Sequence, residues 1–451
     1  MTGGVGAAVR TRAKVRTACS SPTVRQAAGF ACSSALLGGL GMLTSALLAR
    51  TLGVDAYTNY AFGKQLLLFS AMFFEFGLFL PAARMLACSD RADRRRITGA
   101  VVAFLVPVSV LFGFTVFALS WIVDARFNVH AGPALRLVAL VSVGYPLDFV
   151  CLQTAQGLGR LHTYSIASVL SRTGFLCVLT TMPALGVRLT PSGVLLADAL
   201  FLLAGWASLL AYLRPLFCGL RETMARMVQG ARDFGFSAYI GRVLSMGTYH
   251  MDTLMLGAGS DPRSFACYMC AASLAFPIGL PGAGLATALF GRFTRQPRVE
   301  LHWVAAVTAM SAVPAVALSV LAEPLVRLVY SEKFLMAAYL VPVLAGAQVI
   351  GAVTRLFNTF LSAHGLGSGL RTAAITLTVS NLVLNLLLIP AFGAAGAAWA
   401  SLLALAVNLL VHLIGYRRAV NAAEIVLPVG KAGAGTNPGN RPATGQGAAA
   451  R

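Results

Sequence analysis

The chain has 451 residues, of which 57% are hydrophobic and only 11% charged. A water-soluble domain carries about 25% charged residues, so a large soluble fold is excluded. The formal net charge of +20 would suit nucleic acid, but the basic residues fall between apolar runs and no basic groove or stacking module is visible, which sets a nucleic-acid partner aside.

The head, residues 1–27, is basic and free of acids (Arg10, Arg12, Lys14, Arg16, Arg25). The first apolar run, 29–49, has full spanning length, so it is expected to stay as an anchor rather than be cleaved as a signal peptide. Eleven more runs follow, centred on 59–82, 98–122, 134–156, 163–186, 192–213, 237–257, 265–289, 303–322, 336–360, 372–390 and 394–416. Each approaches the roughly 20 apolar residues that a bilayer core demands of a helix. The Gly/Ala/Pro-rich end buries too little apolar surface to fold.

With the first residue inside, the cytoplasmic segments hold 24 Arg and Lys and the opposite loops seven. That asymmetry puts both termini in the cytoplasm. Pro183-Ala-Leu-Gly186 and Pro390-Ala-Phe-Gly393 mark corresponding junctions in two halves. The expected fold is an all-α polytopic membrane protein, with 12 transmembrane helices in two six-helix lobes. These form a 6+6 parallel pseudo-repeat around a central cavity. The units are a basic cytoplasmic head (1–27), an N-lobe of helices 1–6 (28–214) and a cytoplasmic linker (215–236). A C-lobe of helices 7–12 (237–417) and a disordered cytoplasmic tail (418–451) complete the chain.

Charges inside the spans are the chemical signal, because each costs about 2.5–3.5 kcal/mol at the bilayer centre on the insertion scale. Lys64, Arg172, Arg242 and Arg355 are the cations; Glu75, Asp148, Asp198 and Asp252 are the acids. On helix 7, Arg242, Ser245, Tyr249 and Asp252 share an arc of about 80°. Gln348, Arg355, Asn358 and Ser362 do the same on helix 10. These stripes are expected to line a wet cavity between the lobes. Substrate binding is assigned to Lys64, Arg172, Arg242, Tyr249, Arg355 and Asn358. Glu75, Asp148 and Asp252 are the ion-coupling candidates, and Asp198 is read as a helix-packing contact. His250 and His412 are read as packed residues, and Asn381 and Asn385 as glue between helices. Pro277 and Pro281 remove backbone donors from helix 8 and predict a kink that can serve as a hinge. The eight cysteines form no disulfide framework, and Cys267-x-x-Cys270 lies in an apolar run without partner ligands. No metal site and no nucleophile–base constellation is visible, so an enzyme is not expected.

Several stretches resemble one group. Leu48-Ala-Arg50-Thr-Leu-Gly53-Val-Asp55-Ala-Tyr57-Thr-Asn-Tyr60-Ala is similar to the end of helix 1 and start of helix 2 of polysaccharide flippases. Asp252-x-Leu-Met-Leu-Gly257, Phe276-Pro277-Ile-Gly-Leu-Pro281 and Ile389-Pro390-Ala-Phe-Gly393-Ala-Ala-Gly396 resemble later segments of the same group in the same order. So does Leu325-Val-Arg327-Leu-Val-Tyr330-Ser-Glu332-Lys333-Phe334, although Ser331 stands where the family often has Gly. The group is the polysaccharide and O-antigen flippase family of the multidrug/oligosaccharidyl-lipid/polysaccharide exporter superfamily.

The resemblance implies alternating-access flipping of an undecaprenyl-pyrophosphate-linked oligosaccharide across the bacterial inner membrane for surface polysaccharide export. It implies no bound cofactor, with coupling to an H+ or Na+ gradient. Partners would be the lipid-linked oligosaccharide, membrane lipids and other polysaccharide-assembly membrane proteins. A cation-coupled multidrug antiporter of the same superfamily is the nearest alternative, though it favours an acidic, aromatic-lined cavity. Lipid II flippases usually have fourteen helices. A membrane-embedded polysaccharide-processing enzyme would carry a long outer loop, and no outer loop here exceeds about fifteen residues.

Overall fold

The computed structural model describes residues 22–127, 129–259 and 261–421. The greater part of the expected head and tail lies outside them. The described residues are helical almost throughout, with no strand among them.

The first half comprises α1 (Pro22–Leu52), α2 (Val54–Phe73), α3 (Phe79–Cys88), α4 (Arg91–Arg126), α5 (Gly132–Val138), α6 (Gly144–Gly157), α7 (Leu161–Ala184) and α8 (Pro191–Leu213). A short helix, α9 (Leu220–Gly230), packs on α3 and α4 and leads through a π-helical turn, Ala231–Gly235, into the second half. There follow α10 (Phe236–Gly259), α11 (Pro262–Ala275), a 3-10 turn at Phe276–Ile278 and α12 (Gly279–Phe293). Then come α13 (Leu301–Val320), α14 (Ala322–Val329), α15 (Met336–Ala363) and α16 (Gly367–Asn421). The α16 run breaks at Gly393 (φ 54°, ψ −128°), which divides it into two spans.

Local chemistry starts these helices where they start. Asp90 caps α4 by accepting from the Asp93 amide at 2.9 Å, and Thr190 caps α8 by accepting from Gly193 at 3.2 Å, with Pro191 in the first turn. Short polar side chains at this position satisfy amides that the first turn leaves unbonded.

Among the described residues, eight helical runs are long and apolar enough to cross a membrane. One of them is the broken α16, so together they account for nine of the expected spans. The missing three are the second, fourth and seventh. Two are interrupted (α2/α3 and α5/α6), and α10 carries Arg242 and Asp252. The spans that fall short are therefore those that carry most of the intramembrane charges. Apolar side chains face outward along the others, as Val106, Val110, Phe114 and Phe117 do on α4 and Val313, Val316 and Val320 on α13. Such a band would be a liability in water and is what lipid contact requires. The chain is a multi-pass membrane protein.

Two lobes meet along a seam in which α2 packs on α10 and α11, and α1 on α11 and α12. The break between α2 and α3 sits in this seam. Phe76 and Gly77 both have positive φ (47° and 69°). A Cβ on Gly77 would come within 2.6 Å of the Gly235 carbonyl oxygen, so backbone meets backbone there and only glycine fits. The expected kink in helix 8 appears as the 3-10 turn at Phe276–Ile278, centred on Pro277, whose ring cannot donate to the preceding turn. Pro281 lies in the first turn of α12, beyond the break.

Gly77→Ala is expected to destabilise the protein in detergent by more than the about 1–2 kcal/mol that left-handed backbone costs an alanine, because the new methyl also pushes on Gly235. Thermal unfolding measures it; an unchanged midpoint would contradict the close approach.

Candidate functional site

Asp198 on α8 is buried to 1% exposure and joins four helices of the first lobe. Its Oδ2 lies 3.1 Å from the Lys64 ammonium of α2 and accepts from the Tyr145 hydroxyl of α6 at 2.9 Å. Its Oδ1 accepts from the Arg172 guanidinium of α7 at 2.8 Å. Two cations thus share one carboxylate. Lys64 also donates to the Tyr60 hydroxyl at 3.1 Å. The cation side chains are 23% and 29% exposed where the carboxylate is 1%. Positive charge is therefore turned outward and its counter-charge lies behind it.

What they face is a cavity of about 570 Å³. Its walls come from α1, α2, α6, α7 and α8, with Met269 and Ser273 of α11 and Phe276 contributed from the second lobe. Lys64, Arg172, Asp148 and Tyr164 all line it. Asp148 accepts from the Tyr164 hydroxyl at 2.8 Å, and the Tyr164 ring stacks on Trp206 with centroids 4.9 Å apart at 11°. The size is that of a small-molecule site rather than a packing defect.

Hydrogen bonds close the seam at both ends. At one, Glu75 (5% exposed) accepts from Arg242 of α10 at 2.5 Å and from Gln153 of α6, while the Tyr239 hydroxyl donates to the Phe73 carbonyl at 2.8 Å. At the other, Thr58 donates to the Pro262 carbonyl at 2.9 Å and Arg50 to that of Leu328. The lobes are thus tied together at both ends of the seam.

In the second lobe Asp252 is buried, and its Oδ2 accepts from the Tyr268 hydroxyl at 2.8 Å and from Ser401 at 2.6 Å. Its Oδ1 is buried without a partner, and no ion pair includes Asp252 among the described residues. Arg355 and Asn358 stand outside the cavity lining. Arg355 is exposed and in no ion pair among the described residues, and Asn358 contacts the His412 ring at 3.2 Å. Asn385 donates to Asn381 on its own helix at 3.0 Å. The side chains of Tyr249 and Ser245 lie outside the described residues.

Apart from Arg355 and Asn358, which stand outside the cavity lining, and Tyr249, the sequence-marked site residues are distributed over three places. Lys64, Arg172 and Asp148 come together at the cavity, Glu75 and Arg242 bind each other, and Asp252 belongs to a separate polar contact. Asp198, read from sequence as a packing contact, ties the cavity cations together. Tyr60 lay in plain view within the Tyr57-Thr-Asn-Tyr60 stretch. Tyr164 and Trp206 carried no signal beyond being aromatic, because aromatics are common in any membrane helix.

Similarities to known proteins agree with this architecture. No protein-family model matches the chain. The chain is 24% identical over 391 residues to the probable low-salt glycan biosynthesis flippase Agl15 of Haloferax volcanii, covering 83% of this chain and 79% of that one. Among solved structures it is similar to the lipid II flippase MurJ in an inward closed conformation (TM-score 0.66, 15% identity, covering 86% of this chain and 87% of that one). It is also similar to an inward-facing multidrug resistance MATE family transporter of the MOP superfamily (TM-score 0.67, 14% identity, covering 85% and 95%). The chain has the fold of the MOP superfamily transporters. Of the proteins it resembles, the Haloferax flippase is related in sequence as well.

Asp198→Ala strands two cations in the lobe interior and is expected to destabilise the protein by about 3–5 kcal/mol, the usual result of removing one partner from a buried pair. Replacing Lys64, Arg172 and Asp198 together by Met, Met and Leu should recover most of that loss. Chemical unfolding in detergent checks both, and a mild Asp198→Ala effect would deny the shared-counter-ion role.

Proposed function

We propose that this chain is a flippase that moves a lipid-linked oligosaccharide across the membrane by alternating access. The observation that carries the reading is the pair Lys64 and Arg172, held by one buried carboxylate and turned into a cavity between the helices of the first lobe. A diphosphate brings the negative charge that this pair lacks, and charge-assisted hydrogen bonds to it are the strong kind. The similarity to a glycan biosynthesis flippase supports the same substrate class, and its MurJ-like fold is compatible with it.

The lipid carrier is undecaprenyl pyrophosphate in this reading, the glycan is destined for surface polysaccharide such as O-antigen, and the membrane is a bacterial inner membrane with both termini cytoplasmic. The carrier tail remains in lipid while the head group enters the cavity. Polysaccharide-assembly membrane proteins would deliver the glycan and receive it.

Glu75–Arg242 and Thr58–Pro262 then serve as the two gates, opened in turn as the lobes rock, with the turn at Pro277 as hinge. Of the three carboxylates suited to ion coupling, Glu75 is engaged by Arg242 and Asp148 lines the cavity. Asp252, buried with one oxygen unpartnered, is assigned the coupling of transport to an H+ or Na+ gradient. Arg355, Asn358 and Tyr249 remain candidates for contact with the glycan from the second lobe.

The test is complementation of a bacterium deleted for its own polysaccharide flippase, with expression checked for every variant. Wild type should restore surface polysaccharide. Lys64→Ala and Arg172→Ala should each reduce it by about tenfold or more, the worth of one hydrogen bond to a charged group, while Arg355→Ala, outside the cavity, has a smaller effect. Well-expressed Lys64→Ala and Arg172→Ala variants with full activity would sink the proposal.

A further inference from the structure

The cavity holds a second polar feature that phosphate binding leaves unused. Asp148 lines the same space as Lys64 and Arg172, yet no ion pair includes it among the described residues. Arg172 is committed to Asp198 at 2.8 Å. The partner that Asp148 does have is the Tyr164 hydroxyl, which donates to its Oδ1 at 2.8 Å.

That phenol is itself held in place. Tyr164 lies flat against Trp206, 1% exposed, at 4.9 Å and 11° between the rings. Tyr164 and Asp148 sit on different helices, α7 and α6, so the bond fixes the carboxylate across a helix boundary. The sequence of contacts Trp206, Tyr164, Asp148 positions one carboxylate oxygen and leaves the other as an acceptor on the cavity wall. An ionisable group within a membrane lobe is expensive to retain without a purpose, and a stacked pair of large rings spent on orienting it argues for a ligand contact rather than filler.

Two poles therefore stand in one cavity. Lys64 and Arg172 offer donors to an anion, and Asp148 offers an acceptor that takes hydroxyl donors and repels acids. We propose that Asp148, positioned by Tyr164 and Trp206, is the contact for sugar hydroxyls of the residue nearest the diphosphate, and that it discriminates against an acidic sugar there. The inference rests on the flippase reading and adds to it a rule of selectivity.

A carboxylate at this place works by subtraction as much as by attraction. A neutral hexose donates a hydroxyl to it. A uronate presents like charge to like charge, which a specific site uses to reject a competitor.

The experiment uses the full chain in proteoliposomes with two fluorescent short-chain polyprenyl diphosphates. One carries a neutral hexose and the other the corresponding hexuronic acid. Wild type is expected to flip the neutral probe about tenfold faster than the acidic one, a preference in the range that like-charge rejection supplies. Asp148→Asn keeps an acceptor and removes the charge, so the ratio of neutral to acidic flipping should fall toward one. Tyr164→Phe, which releases Asp148 without altering the ring, should also narrow the ratio.

Equal rates for both probes in wild type, unchanged by Asp148→Asn, would overturn the selectivity role and leave the flippase reading standing. An equal loss of both probes in Asp148→Asn would assign the residue to coupling or folding and likewise overturn it. Wild-type protein that flips neither probe would bring down the flippase reading and this inference with it.

Discussion

The first lobe depends on one carboxylate. Asp198 neutralises two cations from two other helices, and without it α2 and α7 would each bring a bare charge into the bilayer. Desolvation of a charge is expensive, and the attraction of an opposite charge repays it only with close geometry and further hydrogen bonds. Asp198 meets both conditions, with contacts at 2.8 and 3.1 Å and a tyrosine hydroxyl at 2.9 Å. The arrangement turns two cations toward the cavity and satisfies them from behind.

The second lobe is built differently. Asp252 has two hydroxyl donors where Asp198 has two cations and a hydroxyl. A carboxylate held by hydroxyls alone can exchange a small cation or proton more readily than one locked in an ion pair. The first lobe thus holds its central carboxylate in ion pairs, and the second holds one by hydroxyls alone.

Much of the fold was legible because the bilayer imposes a length on every helix. Runs of about 20 apolar residues marked the spans, and the Pro-rich stretch at 277–281 marked a kink. The break at 139–143 was hidden in a mostly apolar stretch, and the one at 74–78, although it holds Glu75 and Gly77, depends on Gly235 far along the chain. The charges were visible one by one, but their partners were not. Helical periodicity set Arg242 and Asp252 within one arc of helix 7, yet the structure gives them different partners. Ten residues of helix separate them by about 15 Å, so Arg242 reaches Glu75, 167 positions away, while Asp252 meets α11 and α16. Asp198 looked like packing because its type and position said nothing of Lys64 and Arg172.

The chain order of the Asp198 network has a consequence for biogenesis. Lys64 and Arg172 are synthesised before Asp198, and domains tend to form from the N-terminal end as the chain emerges. Each cation must therefore enter the membrane ahead of its counter-charge and wait there, snorkelling or kept at the insertion machinery, until α8 follows. The first eight helices thus become a unit of insertion that is completed by its last member. A nascent chain halted before residue 198 would hold two uncompensated charges in lipid, a state that quality control can recognise.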